Sequence, residues 1–313
     1  PDGLPAIAAY QLSQGVTSIC PASMTLSPET LQNICKCARD FSQESSTNGS
    51  RLVGVNLEGP FISNAKRGAQ NPDYIRQADF TLLEQLQECA GGLVKLVTLA
   101  PETPGAIDFI RQVKQSELRD ISISIGHTQS DYDTAKKAFA CGADHVTHLF
   151  NAMPAFTHRT PGVIGAAFDS PDCFVEIICD GIHIAPSAIR AAFAMFGRER
   201  MVLISDSMRA TGLSDGNYTL GGLNVQVNGK HATLEDGTLA GSVTNLLECM
   251  RCAVSMGISL ENAVQCATIN PARAIHIDND YGSLEAGKAA DFLLLDKNLT
   301  LVDVFKDGEK VDR

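Results

Sequence analysis

The chain has 313 residues, of which 44% are hydrophobic and 19% are charged, and its formal net charge is −11. This composition is ordinary for a globular enzyme, and the negative charge argues against nucleic acid and anionic membranes as partners, because both need a basic face. No apolar run approaches the ~18 residues that span a bilayer, and no signal-peptide pattern opens the chain.

Short β-branched runs alternate with helical patterns along the first two thirds of the chain. They recur about every 25–40 residues, which is typical of repeated βα units and a parallel sheet. We predict strands at residues 16–20, 52–57, 95–99, 122–125, 145–147, 174–179 and 201–204. We predict helices at residues 4–13, 28–40, 79–89, 104–116, 131–141 and 186–196, with a short piece before Cys173.

The number of strands predicts the fold class. A closed (β/α)8 barrel has eight parallel strands, one more than we predict here. We therefore interpret the fold as α/β, a TIM-like (β/α)8 barrel whose first strand lies upstream of Pro1. A doubly wound open sheet is the alternative, but such sheets usually carry a Gly-rich phosphate loop, and neither GxGxxG nor a Walker loop occurs.

The pattern changes after Ser205. Apolar runs at 218–220 and 223–227 lead to Asn228-Gly229, a strong hairpin signal, so we expect a β-hairpin excursion near 217–234. Helices are predicted at 242–256 and 259–267, and strands at 290–295 and 301–306. We assign residues 1–275 to the barrel and 276–313 to the C-terminal part of a small β-sandwich subdomain.

The ten cysteines do not indicate a disulfide scaffold, because a chain of this length has a sufficient core without them. Cys249 and Cys252 form a CxxC inside a helical pattern, without a partner pair. A buried helix face is the favoured interpretation over a zinc knuckle or a redox pair. We expect reduced thiols and a cytoplasmic protein.

Five predicted strands end in polar residues that suit metal binding. The carboxyl ends of barrel strands converge on one mouth, so we expect these residues to lie together. They are Glu58, His127, His148, the pair Asp180 and His183, and Asp206.

Hydrolysis of an amide needs these residue types. Zn²⁺ is held by imidazoles and a carboxylate, with a position left for water, and the ion lowers the pKa of that water toward neutrality. A further carboxylate takes the proton of the water and gives it to the departing amine. We predict Glu58, His127 and His148 as metal ligands and Asp206 as the catalytic acid/base.

Each of these residues also has a structural interpretation. A single His at a strand end is more often a hydrogen-bonded structural residue than a ligand, and we expect this of His145. Asp206 taken alone is compatible with a helix N-cap, and Glu58 with a solvated loop carboxylate. We expect no catalytic role for His231 or His276. The joint occurrence of the strand-end residues favours the metal site.

A second set of residues has the character of an anion site. Arg159 lies among turn-forming residues on a long loop after His148. Its guanidinium suits bidentate recognition of phosphate, and the structural alternative is an ordinary surface arginine.

Several segments together resemble the N-acetylglucosamine-6-phosphate deacetylases of the amidohydrolase superfamily. The most specific are EGPF at 58–61 and THLFNAMP at 147–154, joined by GHT at 126–128, DGIH at 180–183, SD at 205–206 and LAGS at 239–242. The tail segments NPAR at 270–273 and GSLEAGKAAD at 282–291 match only at superfamily level. The resemblance runs in consistent order from Gly15 to Gly308.

This resemblance implies an activity and a set of roles. The reaction is hydrolysis of the N-acetyl group of N-acetylglucosamine 6-phosphate to glucosamine 6-phosphate and acetate, with one divalent metal, Zn²⁺ or Fe²⁺. Glu58, His127 and His148 match the metal ligands, and Asp206 matches the acid/base. The positions that match substrate contacts are Ala69, Gln70, Asn151, Ala152, Arg159, Asp180, Gly181, Ile182, His183, Leu239, Ala240 and Gly241. In the family, the arginine that matches Arg159 reaches the phosphate in a neighbouring subunit, which implies a homodimer.

Two features depart from the family pattern. Some relatives have His where this chain has Gln70, an amide that we still expect to hydrogen-bond the substrate. The first barrel strand, with its HxH or equivalent pair, and the N-terminal half of the β subdomain are absent, so we expect about 50 further residues upstream.

Two other functions stay open. One is another amidohydrolase activity of the cyclic amidase type, against which Arg159 and the HLFNAMP loop argue. The other is a non-catalytic sugar-phosphate-binding module, which the missing strand makes possible.

Overall fold

The structure is a computed structural model that describes residues 3–44 and 48–312. Its strands are β1 (Ser18–Ile19), β2 (Arg51–Leu52), β3 (Val55–Glu58), β4 (Val94–Leu99), β5 (Ser122–Ile125), β6 (His145–Val146), β7 (Phe174–Ile178), β8 (Met201–Ile204), β9 (Gly216–Leu220), β10 (Leu223–Asn228), β11 (His231–Thr233), β12 (Phe292–Leu295), β13 (Leu301–Lys306) and β14 (Glu309–Lys310). Its α-helices are α1 (Gly3–Ser13), α2 (Pro28–Gln43), α3 (Phe80–Cys89), α4 (Ala106–Lys114), α5 (Tyr132–Ala140), α6 (Gly162–Phe168), α7 (Pro186–Phe196), α8 (Leu246–Ser255), α9 (Leu260–Ala267) and α10 (Ile269–Ala274).

The centre of the molecule is a parallel sheet of six strands in the order β3-β4-β5-β6-β7-β8. β1 pairs in parallel with β2, and a bridge from Ala22 to Asn56 continues this pairing along β3. Strands therefore occur at all seven predicted positions, side by side in chain order. Helices connect them, as βα units require.

The sheet is curled. The hydroxyl of Thr98 on β4 lies 2.8 Å from that of Thr147, which follows β6, although β5 lies between the two strands. In a flat sheet these positions are about 9.5 Å apart, at twice the usual strand spacing. The fold is α/β with a curled parallel sheet, and the carboxyl ends of its strands converge on the concave side.

The main core lies between this sheet and the surrounding helices. Alternate residues of β7, Val175 and Ile177, are fully buried there, together with Leu83 of α3 and Ile110 of α4. The helices begin at polar caps: the side chains of Ser27, Asp79, Asp131, Asn245 and Ser259 each accept a backbone N–H of the following turn. Local capping chemistry thus sets where these helices begin.

Helix α8 begins at Leu246, and the prediction that it starts at residue 242 is wrong. Asn245 caps it, since its Oδ1 accepts the N–H of Glu248 at 2.9 Å. Ser242 instead donates its N–H to the carbonyl of Asp206 at 2.7 Å. This contact between distant segments holds residues 239–242 next to the end of β8.

The β excursion has the predicted form. Strands β9, β10 and β11 make an antiparallel meander, and Asn228 pairs with His231, so Gly229 and Lys230 form the two-residue turn. Gly229 has φ 58°, a conformation that favours glycine. In the tail, β12, β13 and β14 form a separate three-stranded antiparallel sheet.

The ten cysteines are free thiols, as the sequence predicts. Cys249 and Cys252 both lie on α8, where Cys249 is buried. Within residues 3–44 and 48–312, no helix combines the length and the apolar character that a membrane crossing requires.

Candidate metal and substrate site

Three of the predicted residues meet at the concave mouth of the sheet. Glu58 is the last residue of β3, and His127 and His148 each lie two residues beyond a strand, β5 and β6. Nε2 of His127 is 3.0 Å from Oε1 of Glu58 and 3.1 Å from Nε2 of His148. Nε2 of His148 is 3.9 Å from the same oxygen. All three side chains are nearly inaccessible to solvent.

These separations fit a small divalent cation. Ligand atoms at the corners of a tetrahedron with metal–ligand bonds near 2.05 Å are about 3.3 Å apart, which the three observed distances bracket. Two imidazoles and one carboxylate are also a donor set that suits borderline cations such as Zn²⁺. Among the described residues, no other group of three or more His, Cys, Asp or Glu side chains brings its ligand atoms close enough together to hold a metal ion.

The ring of His127 is oriented by a group behind it, and both histidines have an unusual backbone conformation. Nδ1 of His127 lies 2.9 Å from the carbonyl oxygen of Lys66, so in the neutral ring Nδ1 carries the proton and Nε2 is available to a metal. Residues 127 and 148 have φ of 47° and 30°, in the left-handed region that side chains with a Cβ seldom adopt. Such conformations persist only where surrounding contacts hold them, and they concentrate at functional sites.

Gln70 supports the carboxylate. Its amide nitrogen donates to Oε1 of Glu58 at 2.9 Å, and its amide oxygen accepts the N–H of Thr25 at 2.7 Å. The residue that the sequence predicts on the substrate thus also holds a proposed metal ligand in place. Glu58 is therefore no solvated loop carboxylate.

Electrostatics divides the acidic groups of the site into two kinds. Burial on its own raises the pKa of Glu58, but the hydrogen bond and charge of His127, the charge of His148 and the Gln70 amide lower it to about 2. Burial raises the pKa of Asp206 well above its usual range, and the charges of Glu58, Glu176 and Asp180 raise it further. In this cavity the Asp206 carboxyl therefore holds a proton more readily than an ordinary carboxyl, whereas Glu58 stays ionised.

Asp206 lies two residues beyond β8 and faces the same cavity, with φ 48°. No described helix begins near it, since the next element is β9 at Gly216. The alternative interpretation of Asp206 as a helix N-cap is therefore wrong.

A cavity of about 430 Å³ opens over the cluster. It is lined by Glu58, His127, His148 and Asp206, and by seven of the residues predicted to contact the substrate: Ala69, Gln70, Asn151, Ala152, His183, Leu239 and Gly241. The structure therefore brings together residues from seven separate segments.

Five predicted substrate residues lie outside the lining: Asp180, Gly181, Ile182, Ala240 and Arg159. Asp180 acts on a residue that does line the cavity, since its Oδ2 is 2.7 Å from Nδ1 of His183 and its Oδ1 accepts the N–H of the same residue. Ala240 is fully buried beneath the cavity wall. Arg159 is exposed, and no acidic side chain among residues 3–44 and 48–312 pairs with it.

Part of the cavity wall is formed by residues that were not predicted from the sequence. Ala22, Ser23 and Met24 follow β1 and line the cavity, as do Ser207 and Met208 after β8. The same strand-end argument applied to the predicted strand at 16–20 points to Ser23. Glu176, a carboxylate in the otherwise apolar run of β7, was likewise not predicted.

Comparisons with known proteins identify the family of the chain. Residues 3–311 match the amidohydrolase family. The N-acetylglucosamine-6-phosphate deacetylase of Bacillus subtilis (strain 168) is 39% identical over 292 residues, which are 92% of this chain and 73% of that protein. The N-acetylgalactosamine-6-phosphate deacetylase of Escherichia coli O157:H7 is 33% identical over 99% of this chain and 81% of its own length.

Solved structures give the same result. An N-acetyl-D-glucosamine-6-phosphate deacetylase mutant from Mycobacterium smegmatis, in complex with N-acetyl-D-glucosamine-6-phosphate, superposes with a TM-score of 0.90 at 34% identity. The match covers 97% of this chain and 79% of the other. The N-acetylglucosamine-6-phosphate deacetylase of Thermotoga maritima gives a TM-score of 0.91 at 32% identity, over 99% and 83% of the two chains.

Proposed function

The chain belongs to the amidohydrolase family, and we propose that it hydrolyses the N-acetyl group of N-acetylglucosamine 6-phosphate to glucosamine 6-phosphate and acetate. The observation that carries the proposal is the convergence of Glu58, His127, His148 and Asp206 on one cavity. Relatives that are 33–39% identical over nearly the whole chain carry the names of amino-sugar-phosphate deacetylases.

The amidohydrolase family implies a divalent cation, and Glu58, His127 and His148 would hold it. We propose Zn²⁺, with Fe²⁺ as the alternative, because imidazole and carboxylate donors suit both. The ion supplies Lewis acidity that activates water and polarises the amide carbonyl. The low pKa of Glu58 keeps this ligand anionic at neutral pH, and the hydrogen bond from Gln70 fixes its direction.

Asp206 moves the proton. An amide nitrogen must be protonated before it leaves, because an amide anion is a very poor leaving group. Asp206 takes a proton from the attacking water and passes it to that nitrogen. The raised pKa of Asp206 supports this role, because it makes this carboxylate a better proton acceptor than an exposed one.

The remaining cavity residues position the sugar. We propose that Gln70, Asn151 and His183 bind its polar groups, and that Ala69, Ala152 and residues 239–241 shape the wall. His183 is already oriented by Asp180. We further propose a homodimer in which Arg159 of one subunit reaches the phosphate in the other, and the exposed position of Arg159 supports this assignment.

The finer description of the fold is also a proposal. We propose that the curled sheet is part of a (β/α)8 barrel over residues 1–275 and that residues 276–313 belong to a small β sandwich. The separate sheet of β12, β13 and β14 supports that division. The free thiols support a cytoplasmic location.

A substrate panel tests the proposed function. The full chain, supplied with Zn²⁺, is incubated with N-acetylglucosamine 6-phosphate, its galactosamine epimer, unphosphorylated N-acetylglucosamine and a cyclic amide such as dihydroorotate. We expect acetate release to be fastest from N-acetylglucosamine 6-phosphate. Faster hydrolysis of the cyclic amide would overturn the proposal, as would binding of the phosphorylated sugar without turnover.

A further inference from the structure

One charged side chain lies inside the curled sheet, where the mechanism above does not use it. Along β7, Val175 and Ile177 face the helices, so Glu176 between them faces the concave interior. Only 6% of Glu176 is exposed. A carboxylate in such a place is costly unless partners compensate for its lost hydration.

Both the side chain and the main chain of Glu176 contact the segment that carries His148. Its Oε2 accepts the backbone N–H of His148 at 3.2 Å. Its own carbonyl oxygen accepts the N–H of the next residue, Leu149, at 2.8 Å. Its Oε1 lies 3.2 Å from Nε2 of His145, which is buried on the other side of the carboxylate. Glu176 thus holds two successive residues of the chain that presents His148.

This segment needs such a support. The pairing of β6 with β7 ends at Val146, so the N–H of His148 lies beyond the ladder and has no carbonyl partner. His148 also has φ 30°, a conformation that its neighbours must impose. The carboxylate of Glu176 takes the place of the missing carbonyl, and its position sets the direction in which the imidazole of His148 points.

We propose that Glu176 is a positioning residue that holds His148 in the orientation needed to bind the metal. The proposal rests on the role of His148 as a ligand in the proposed function. Groups behind a metal ligand typically contribute about 10–100-fold to metal affinity. Here Glu176 contacts the main chain of His148 and leaves its imidazole ring free.

Two conservative variants of Glu176 distinguish the effect of side-chain length from the effect of charge. Glu176→Gln keeps an oxygen within reach of the His148 N–H but loses the charge. Glu176→Asp keeps the charge but is one methylene too short to reach. The matched control is Asp144→Asn, because Asp144 also accepts a backbone N–H, that of Ile123 at 2.9 Å, but at the opposite end of the same sheet.

The measurement is the affinity for Zn²⁺, by competition with a chromophoric chelator, with thermal unfolding recorded in parallel. We expect Glu176→Asp to bind Zn²⁺ about 10–100-fold more weakly than the parent, Glu176→Gln to stay within about threefold, and Asp144→Asn to change only the unfolding temperature. Parental affinity in Glu176→Asp, or weaker binding by the Gln variant than by the Asp variant, would overturn the positioning role while leaving the proposed function intact. A parent protein that binds no Zn²⁺ would overturn both.

Discussion

At the residue scale, the site combines side chains whose conformations are unfavourable when taken singly. His127, His148 and Asp206 all follow strands and all have positive φ. Each such conformation costs on the order of 1–3 kcal/mol, which the rest of the fold offsets. As a result, the side chains of three separate segments face the same cavity.

The proton-transfer role of Asp206 can be tested by Asp206→Asn. Asn keeps the size and shape of the side chain but cannot accept the proton. We expect the metal content and KM to stay near the parental values and kcat to fall by about 10²–10⁴. Steady-state kinetics with metal analysis of the same samples measures this.

Asp215→Asn is the matched control, because Asp215 is an exposed aspartate of the following segment, outside the cavity lining. It should retain full activity. A fully active, metal-replete Asp206→Asn protein would remove Asp206 from the mechanism.

The pH dependence of metal binding follows from His127. Burial on its own lowers the pKa of His127, but the hydrogen bond and charge of Glu58 raise it above its usual value. A metal must therefore displace a proton from His127 once the pH falls below that pKa. We expect the affinity for Zn²⁺ to fall by about tenfold for each pH unit below that pKa, in chelator competition at several pH values.

His231→Gln should leave this dependence unchanged, because His231 lies on β11 in the β excursion and does not line the cavity. An affinity that is constant between about pH 5 and 8 would show that His127 does not bind the metal through a nitrogen that titrates.

At the element scale, local chemistry predicted the type of most segments but not every boundary. Alternation of β-branched runs and helical patterns is a local property, and strands occur at all seven predicted positions. The predicted start of α8 was wrong because Asn245 is its N-cap, whereas Ser242 bonds to Asp206, 36 positions away. The structural role of Gln70 was hidden because it depends on Thr25 and Glu58 together.

The tail sheet is joined to the central fold by Arg51 of β2. Its guanidinium contacts Asp291 at 2.8 Å and also Asp307, and it lies over the ring of Tyr281 at 5.0 Å. Its side chain is only 22% exposed. We expect Arg51→Ala to lower the free energy of unfolding by about 1–3 kcal/mol, because two carboxylates lose their partner.

Denaturant unfolding measures this change. The control is Arg39→Ala, because Arg39 pairs with Asp40 at the surface, where ion pairs contribute little. That variant should stay within about 0.5 kcal/mol of the parent. Equal losses in the two variants would mean that the Arg51 contacts do not secure the tail.

At the scale of the whole molecule, the sequence predicted most of the residues that meet at the cavity but not where Arg159 acts. The strand-end rule located the proposed metal ligands, which do lie together, because it depends only on the direction of parallel strands. It has no means of placing Arg159, whose loop is exposed and whose proposed partner is a phosphate in another subunit.

The role of Arg159 is tested with Arg159→Ala. A charge-assisted pair to phosphate is present in the ground state and the transition state alike, so we expect KM for the 6-phosphate substrate to rise by about 10–100-fold with little change in kcat. Unphosphorylated N-acetylglucosamine should be affected far less. Equal losses on both sugars would mean that Arg159 does not recognise the phosphate.

Mixed dimers test whether Arg159 acts across the interface. If the chain forms the proposed homodimer, co-expression of Arg159→Ala and Asp206→Asn chains gives mixed dimers. One site of each mixed dimer then has an intact Asp206 and receives an intact Arg159 from the other chain. We expect these dimers to recover activity at low substrate that neither variant has alone. No recovery in isolated mixed dimers would place Arg159 in its own subunit's site.

The central claim is that the cluster of Glu58, His127 and His148 carries out deacetylation through a bound divalent metal. Acetate release from N-acetylglucosamine 6-phosphate tests it most directly, measured on the full chain as purified, after removal of metal with a chelator, and after addition of Zn²⁺. The account predicts that chelation abolishes acetate release and that about one Zn²⁺ per chain restores it. Acetate release that persists at full rate in protein shown to contain no metal would contradict it.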